Sequence, residues 1–168
     1  MAFIQPCFIR KNSPELRKKL EELGYKPSYP IFQYPEVFKH IAACNFFGSK
    51  YYGVSDDEVS HHGEIKDAIK NRGMIDCGTN ENLFLAIAAL RDDSDKEQWF
   101  ITYKSSHPYM SYAAILCRED KWEDEYIKET QQHSFIYTKP EDYRKANVKE
   151  IIRIHKEIDE DLKDLYED

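Results

Sequence analysis

The sequence lacks the signatures of several common classes of enzyme and membrane protein. It has no G-x-G-x-x-G segment, no P-loop and no G-x-S-x-G turn, so chemistry by those routes is unsupported. Its longest wholly apolar run, at residues 83–90, has eight residues, whereas a helix that spans a bilayer needs about 20. The start, Met-Ala-Phe-Ile-Gln-Pro, has neither the basic residues nor the apolar core of a signal peptide. These absences predict a cytoplasmic protein with no membrane partner.

An excess of positive charge is also missing. The 168 residues include 24 Lys and Arg against 31 Asp and Glu, which gives a net charge of −7. Because binding to phosphates requires clustered basic side chains, this charge predicts no binding to duplex nucleic acid. Residues 156–168 hold two basic and seven acidic residues, so most of the acidic excess lies at the C-terminus.

The four cysteines form no C-x-x-C pair, and their apolar surroundings predict reduced, buried thiols. Cys77 is the weak catalytic candidate among them, because it lies at a predicted strand-to-helix turn. The dipole of the following helix would favour a thiolate there. The alternative, a buried cysteine at the end of a core strand, is favoured because no Cys-His spacing matches a known signature. The sequence therefore predicts no catalytic residue.

A polar segment supplies the weak metal-ligand candidates Asp57, His61 and His62. Carboxylate and imidazole groups are ligands for zinc and other divalent metals. Their spacing matches no established motif, and a polar loop between two helices has the same composition. The polar loop is the favoured interpretation, and the sequence predicts neither a metal nor a cofactor.

The fold class predicted from the hydrophobic pattern is α+β. Residues 80–91 form a central helix that is apolar on nearly every side and therefore buried. Around it we expect a small, mainly antiparallel or mixed sheet, in which residues 98–103 and 109–117 form a hairpin. Further strands are predicted near 3–10, 50–54, 74–77 and 135–137, and further helices at 14–23, 35–45 and 64–71.

Local capping signals mark the ends of three helices. Ser13 precedes Pro14 at the start of the first helix, and Gly24 follows its end. Thr79 or Asn80 is expected to cap the central helix. Asn147 and the glutamate three residues later form a capping-box pattern at the start of the last helix.

The predicted domain organisation is a single α+β domain over residues 1–146, followed by an amphipathic helix over 147–168. The apolar stripe of this helix has the 3, 4, 3, 4, 3 spacing of a coiled-coil seam and comprises Val148, Ile151, His155, Ile158, Leu162 and Leu165. One interpretation is a helix packed on its own domain. The alternative is a homodimer, or a pairing with a partner helix, through this seam.

Tyrosine is abundant, with 12 residues in the chain. Tyrosine is enriched where a surface is wet on one side and desolvated on the other. One interpretation is a partner-binding face that includes Tyr51, Tyr52, Tyr109 and Tyr112. The other is that these tyrosines pack, partly exposed, on strands.

Two segments carry a family resemblance. Residues 10–20 read Arg-Lys-Asn-Ser-Pro-Glu-Leu-Arg-Lys-Lys-Leu, and residues 75–93 read Ile-Asp-Cys-Gly-Thr-Asn-Glu-Asn-Leu-Phe-Leu-Ala-Ile-Ala-Ala-Leu-Arg-Asp-Asp. Together with the helix entry at 145–147, they resemble a group of small uncharacterised proteins carried by phages and mobile elements of gut bacteria. The group has no assigned activity, so the resemblance implies a cellular context and no catalytic residue.

From these observations we expect a non-enzymatic phage or mobile-element accessory protein that binds a host or viral protein. An acidic anti-defence inhibitor, whose carboxylates mimic phosphates, is one version. Such a protein acts in the cytoplasm of a bacterial host cell. One alternative is a virion-associated or packaged structural component. The other is a small enzyme that uses Cys77 or a metal held at Asp57, His61 and His62.

Overall fold

The computed structural model describes residues 3–44, 48–60, 64–104, 112–132 and 138–166, with side chains up to residue 161 in the last helix. The chain divides into two compact units, Met1–Asp92 and Asp93–Asp168. Helices and strands occur in both units, so the α+β prediction is confirmed. No helix among the described residues is both long enough and apolar enough to cross a membrane.

The first unit contains a mixed sheet. Within the described residues its strand order is β2-β4-β3-β1-β5, with β1 and β5 parallel, β2 and β4 parallel, and the other neighbours antiparallel. The strands are β1 (Cys7–Ile9), β2 (Lys26–Pro27), β3 (His40–Cys44), β4 (Lys50–Val54) and β5 (Ile75–Asp76). The helices are α1 (Pro14–Leu23), α2 (Asp56–Ser60), α3 (Glu64–Asn71) and α4 (Glu81–Ala88).

Alternation along β1 sends side chains to two different cores. Phe8 packs with Ala42, Val54 and the residues of α3 and its C-terminal turn, Ala68 and Met74. On its other side β1 lies against α4, where the Cys7 thiol is 3.8 Å from the Phe84 carbonyl oxygen. The sheet is therefore covered by helices on both faces.

The helix α4 begins as predicted, since the Asn80 side chain accepts a hydrogen bond from the Leu83 N–H at 3.0 Å. Phe84 and Ile87 are fully buried, which confirms a buried central helix. Leu83 and Leu85 are only half-buried. The helix is therefore buried mainly on one side. Its sequence is apolar on nearly every side, and the expectation that all of these sides are buried was wrong.

The second unit is built on an antiparallel sheet of order β7-β6-β8 among the described residues. Its elements are β6 (Trp99–Thr102), β7 (Ala113–Leu116), α5 (Trp122–Gln132), a 3-10 turn at Pro140–Asp142, β8 (Arg144–Lys145) and α6 (Val148–Tyr166). The pairing of β6 with β7 confirms the predicted hairpin. The core is aromatic: the Trp122 ring stacks on Phe100 with centroids 4.4 Å apart, and Tyr126 and Tyr143 complete the cluster.

The helix α6 starts with the predicted capping box. The Asn147 N–H donates to Glu150 Oε1, and the Glu150 N–H donates to Asn147 Oδ1, both at 2.9 Å. Ile151, Ile154 and His155 are buried, whereas residues 156–161 are all exposed. The proximal turns of α6 therefore bury one face, and its acidic continuation faces solvent. The predicted domain boundary at residue 146 stays a prediction.

One predicted helix is wrong. Residues 35–45 do not form a helix, because His40–Cys44 is the strand β3, paired with both β1 and β4. A strand in the middle of a sheet is buried on both faces and reads as a continuous apolar run. That run resembles a short buried helix in sequence. The strand predicted at 135–137 lies outside the described residues.

Candidate partner-binding surface

Among the described residues of the first unit, the most exposed large apolar side chains are concentrated on the segment between β2 and β3. We call residues 28–38 the aromatic loop. Four of its large apolar side chains face solvent, with exposed fractions of 67% for Tyr29, 59% for Phe32, 52% for Tyr34 and 71% for Val37. The Tyr29 and Phe32 rings lie against each other, with centroids 5.9 Å apart and planes tilted by 59°. Contiguous exposed apolar patches of this kind mark sites of interaction.

One buried and one half-buried side chain, Ile31 and Phe38, anchor the aromatic loop to the first unit. Ile31 is 1% exposed. The Phe38 ring covers Gly53 of β4 so closely that a Cβ at that position would lie 2.3 Å from the ring. Only glycine permits this approach, because any larger residue would displace the ring or the strand. The loop is therefore seated on the sheet while its other rings stay in water.

A side-chain clamp holds the end of the aromatic loop. The Asn12 amide donates to the carbonyl oxygens of Pro35 and Phe38, both at 2.7 Å. Arg17, which is buried, donates to the Asn12 side-chain oxygen and, at 2.8 Å, to Glu36. Each group fixes the next, so the loop backbone is held before any partner arrives. Such preorganisation lowers the entropy cost of binding.

A second cluster, the tyrosine–arginine array, lies in the second unit. Arg144 makes a bidentate ion pair with Glu150, at 2.7 and 2.8 Å. The Tyr103 hydroxyl donates to the same carboxylate at 2.5 Å and accepts from Arg153 at 3.0 Å. The Arg153 guanidinium also lies 4.2 Å from the centroid of the Tyr112 ring. These bonds hold the pKa of Glu150 near 2, with the Arg144 hydrogen bonds as the largest cause.

The predicted tyrosines fall in different environments. Tyr51 is 3% exposed, and burial raises its pKa to about 12. Tyr52 is half-buried, and its pKa is also raised by burial. Tyr112 is buried in the tyrosine–arginine array, where its hydroxyl donates to Glu157. Tyr109 lies outside the described residues. The rings of Tyr51 and Tyr112 therefore serve packing, and they are not part of the proposed partner-binding surface.

Cys77 occupies the predicted turn between β5 and α4 and is buried. Burial, and then the negative charge of Asp76, raise the pKa of its thiol to about 12. At neutral pH the thiol is therefore protonated, and the activation that a nucleophile needs is missing. All four cysteines of the chain are buried thiols.

The metal candidates are not assembled by the described part of the chain. Asp57 lies on α2 and is exposed, whereas His61 and His62 lie outside the described residues. Among the described residues no group of three His, Cys, Asp or Glu side chains is placed to hold a metal ion. Asp56, which precedes Asp57 on α2, contacts His40 at 2.7 Å and Lys39 at 3.0 Å through its carboxylate. The hydrogen bond with His40 is the main cause of the lowered pKa of Asp56.

The predicted seam of α6 divides into two parts. Ile151 and His155 are buried, and the edge of the His155 ring meets Trp99, with centroids 5.9 Å apart. Ile158 is exposed. The helix continues through Leu162 and Leu165, whose side chains lie outside the described set. The homodimer stays a prediction, and it would have to form through the seam beyond His155.

Sequence reasoning missed the aromatic loop as a site. The sequence predicts a helix over 35–45, which would place Val37 and Phe38 on a helix and not on a loop. A signal was present, since Pro30 and Pro35 bracket a stretch dense in aromatic residues, and a proline pair disfavours a continuous helix. The exposure of Val37, however, depends on the Asn12 clamp, which no local pattern encodes.

Comparisons with protein-family models, with curated proteins and with solved structures each found no match for this chain.

Proposed function

We propose that this chain is a non-enzymatic protein-binding module that docks on a partner protein through the aromatic loop. The observation that carries the proposal is the exposure of Tyr29, Phe32, Tyr34 and Val37 on a segment whose backbone is clamped. Rigid aromatic anchors on a surface are the residues that dominate binding energy at protein interfaces. Leaving them in water has no benefit for folding, whereas covering them by a partner is favourable.

The charge distribution favours a protein as the partner. Residues 1–92 contain twelve basic and twelve acidic residues, so the unit that carries the aromatic loop has no net charge. A nucleic-acid surface would require a basic excess. The protonated thiol of Cys77 further supports a binding role over nucleophilic catalysis.

The partner class follows from the sequence resemblance. The segments at 10–20 and 75–93 resemble phage and mobile-element proteins, which supports a host or viral protein in a bacterial cell as the partner. An anti-defence inhibitor is one form of this proposal. In that form the acidic residues within 156–161 of α6, which face solvent, would act as a second, phosphate-like surface.

Differential capture from bacterial host lysate tests the proposal. The bait is the full chain, compared with the double variant Phe32→Ser/Val37→Ser and with Ile127→Ser as a matched control. Ile127 is 54% exposed on α5, so its substitution removes a similar apolar surface elsewhere. We expect a protein captured by the parent and by the Ile127 control but lost with the double variant. Equal capture by all three baits, or capture of nothing by the parent, contradicts the proposal.

A further inference from the structure

The aromatic loop offers side chains to a ligand far more than it offers backbone. The N–H groups of Phe32, Gln33, Tyr34 and Val37 all donate to carbonyl oxygens within the loop, at 2.9 to 3.3 Å. Pro30 and Pro35 have no N–H group. A ligand that binds by adding a strand needs a row of unpaired backbone groups, and these four N–H groups are already paired. Recognition here therefore rests on rings, on tyrosine hydroxyls and on the amide of Gln33.

The rim of the loop is already charge-compensated. Glu36 is paired with Arg17 at 2.8 Å, and Lys39 is paired with Asp56 at 3.0 Å. A charged ligand would have to compete with these partners for either group. The electrostatics of the loop therefore match an uncharged segment better than an acidic or a basic one.

We infer that the aromatic loop binds an extended, proline-rich segment of its partner, a conclusion that rests on the proposed function. Tilted exposed rings form the kind of aromatic surface on which the proline rings of a polyproline II helix pack. A proline residue carries a carbonyl acceptor and no N–H donor, which suits the hydroxyl donors of Tyr29 and Tyr34. Such a segment is uncharged and is extended before it binds, so both charge and entropy favour it.

Titration of the full chain with a ten-residue polyproline peptide tests this inference, with a Gly-Ser peptide of the same length as the control ligand. Amide resonances of residues 28–38 are the readout, because both tryptophans, Trp99 and Trp122, lie in the second unit. We expect saturable shifts confined to these residues, at least tenfold weaker binding for Phe32→Ser, and unchanged binding for Ile127→Ser. The variant Tyr34→Phe keeps the ring and removes the hydroxyl donor, so a smaller, few-fold loss is expected.

Three results overturn the inference: no shifts at millimolar peptide, shifts elsewhere in the chain, or equal binding by Phe32→Ser. Sedimentation of the unliganded chain adds a fourth, because a dimer that Phe32→Ser dissociates would make a second copy the occupant of the loop. Lysate capture tests the proposed protein-binding function independently of the proline-rich ligand. A captured protein that depends on the loop, together with no polyproline binding, sinks the proline-rich ligand alone. Failure of both experiments sinks the binding function as well.

Discussion

The two units of this chain differ in their charge balance and in where they place aromatic and polar side chains. The first unit has equal numbers of basic and acidic residues, whereas residues 93–168 hold twelve basic and nineteen acidic residues. The first unit fills the two faces of its sheet with aliphatic and aromatic side chains, Phe8 and Phe84 among them, and keeps the aromatic loop in water. The second buries an aromatic cluster around Phe100 and Trp122 and gathers tyrosine, arginine and glutamate into an array.

This difference changes what the composition of the chain means. The net charge of −7 belongs to the second unit alone, so an argument from acidity to phosphate mimicry applies only there. Aromatic residues likewise have different roles in the two units. In the second unit they form the core cluster around Trp122, whereas in the first unit some are buried, such as Phe8 and Phe84, and those of the aromatic loop face solvent. An average over the whole sequence hides both facts, because each unit forms its own hydrophobic core.

The largest effect is expected from a charge placed in the buried core of the first unit. Ile87 is fully buried on α4, so Ile87→Asp leaves an unpaired carboxylate there, at a cost of about 4 kcal/mol or more. That cost is comparable to the entire stability of many domains. We expect little folded protein, measured as soluble yield and as the midpoint of chemical unfolding followed by far-UV circular dichroism.

Leu85→Asp on the same helix is the matched control for Ile87→Asp. Leu85 is half-buried, so its carboxylate can reach water and the loss should be smaller, about 1–2 kcal/mol. Equal unfolding midpoints for the two variants would refute the one-sided burial of α4. A parent-like midpoint for Ile87→Asp would refute the core itself.

The next largest effect is expected at Glu150 in the tyrosine–arginine array of the second unit. Glu150→Gln removes the charge that Arg144 binds twice and that Tyr103 contacts, with an expected loss of about 2 kcal/mol. Because folding lowers the pKa of this carboxyl from its ordinary 4.5 to about 2, the unfolded chain binds the proton more tightly. The stabilisation is therefore complete above pH 4.5 and disappears as the pH falls towards 2.

Tryptophan fluorescence measures this loss, since Trp99 and Trp122 both lie in the second unit. The difference in unfolding midpoint between the parent and Glu150→Gln should narrow between pH 5 and pH 2.5. Glu160→Gln, at an exposed position of the same helix, controls for the change of net charge. A difference that is independent of pH would show that the Glu150 ion pair is not its source.

The elements that sequence reasoning placed correctly are those with local causes. The caps formed by Ser13, Asn80 and Asn147 use bonds between residues three apart, so a short window of sequence contains the whole interaction. The hairpin of β6 and β7 is similarly local. The short strands β2 and β8 have two residues each, too few for a period to be visible.

The errors arose where distant residues decide the outcome. Ile41 and Ala42 have helical spacing with Val37 and Phe38, but β1 and β4 pair with them on both sides and make them a strand. Arg17 lies outside the apolar stripe of α1, yet Asn12 and Glu36 bind it in a buried position. The candidate site itself depends on this clamp, and so its exposure could not be predicted from the sequence.

A smaller effect, at higher pH, is expected from His155. Its ring is buried beside Trp99, with Asp159 as the nearby opposing charge, and burial lowers its pKa. The unfolded chain therefore binds the proton more tightly, so the stability is complete above the ordinary pKa near 6.5 and falls as the pH drops below it. The fluorescence-monitored midpoint should decrease between pH 7.5 and pH 5.5.

The variant His155→Phe keeps a ring against Trp99 and cannot take up a proton. We expect this variant to lose the decrease between pH 7.5 and pH 5.5, a window that lies above the one in which Glu150 titrates. An unchanged decrease in the variant would assign the pH dependence to other groups.

The smallest effect is expected at Cys77, where the two views of the first unit, a binding module and an enzyme, make opposite predictions. Its thiol is buried, and its pKa is raised to about 12 by burial and by Asp76, so at pH 7.5 the thiolate is far below 1% of the population. Alkylation by iodoacetamide, followed site by site by mass spectrometry, should be at least 100-fold slower at Cys77 in the native chain than in denaturant. It should also be no faster than at Cys7, Cys44 or Cys117, because all four thiols share the barrier of burial.

Cys77→Ala should accordingly retain capture of any partner that depends on the aromatic loop. Rapid and selective alkylation of Cys77 in the native chain would instead mean that the turn before α4 opens and activates the thiol, which would restore the enzyme hypothesis.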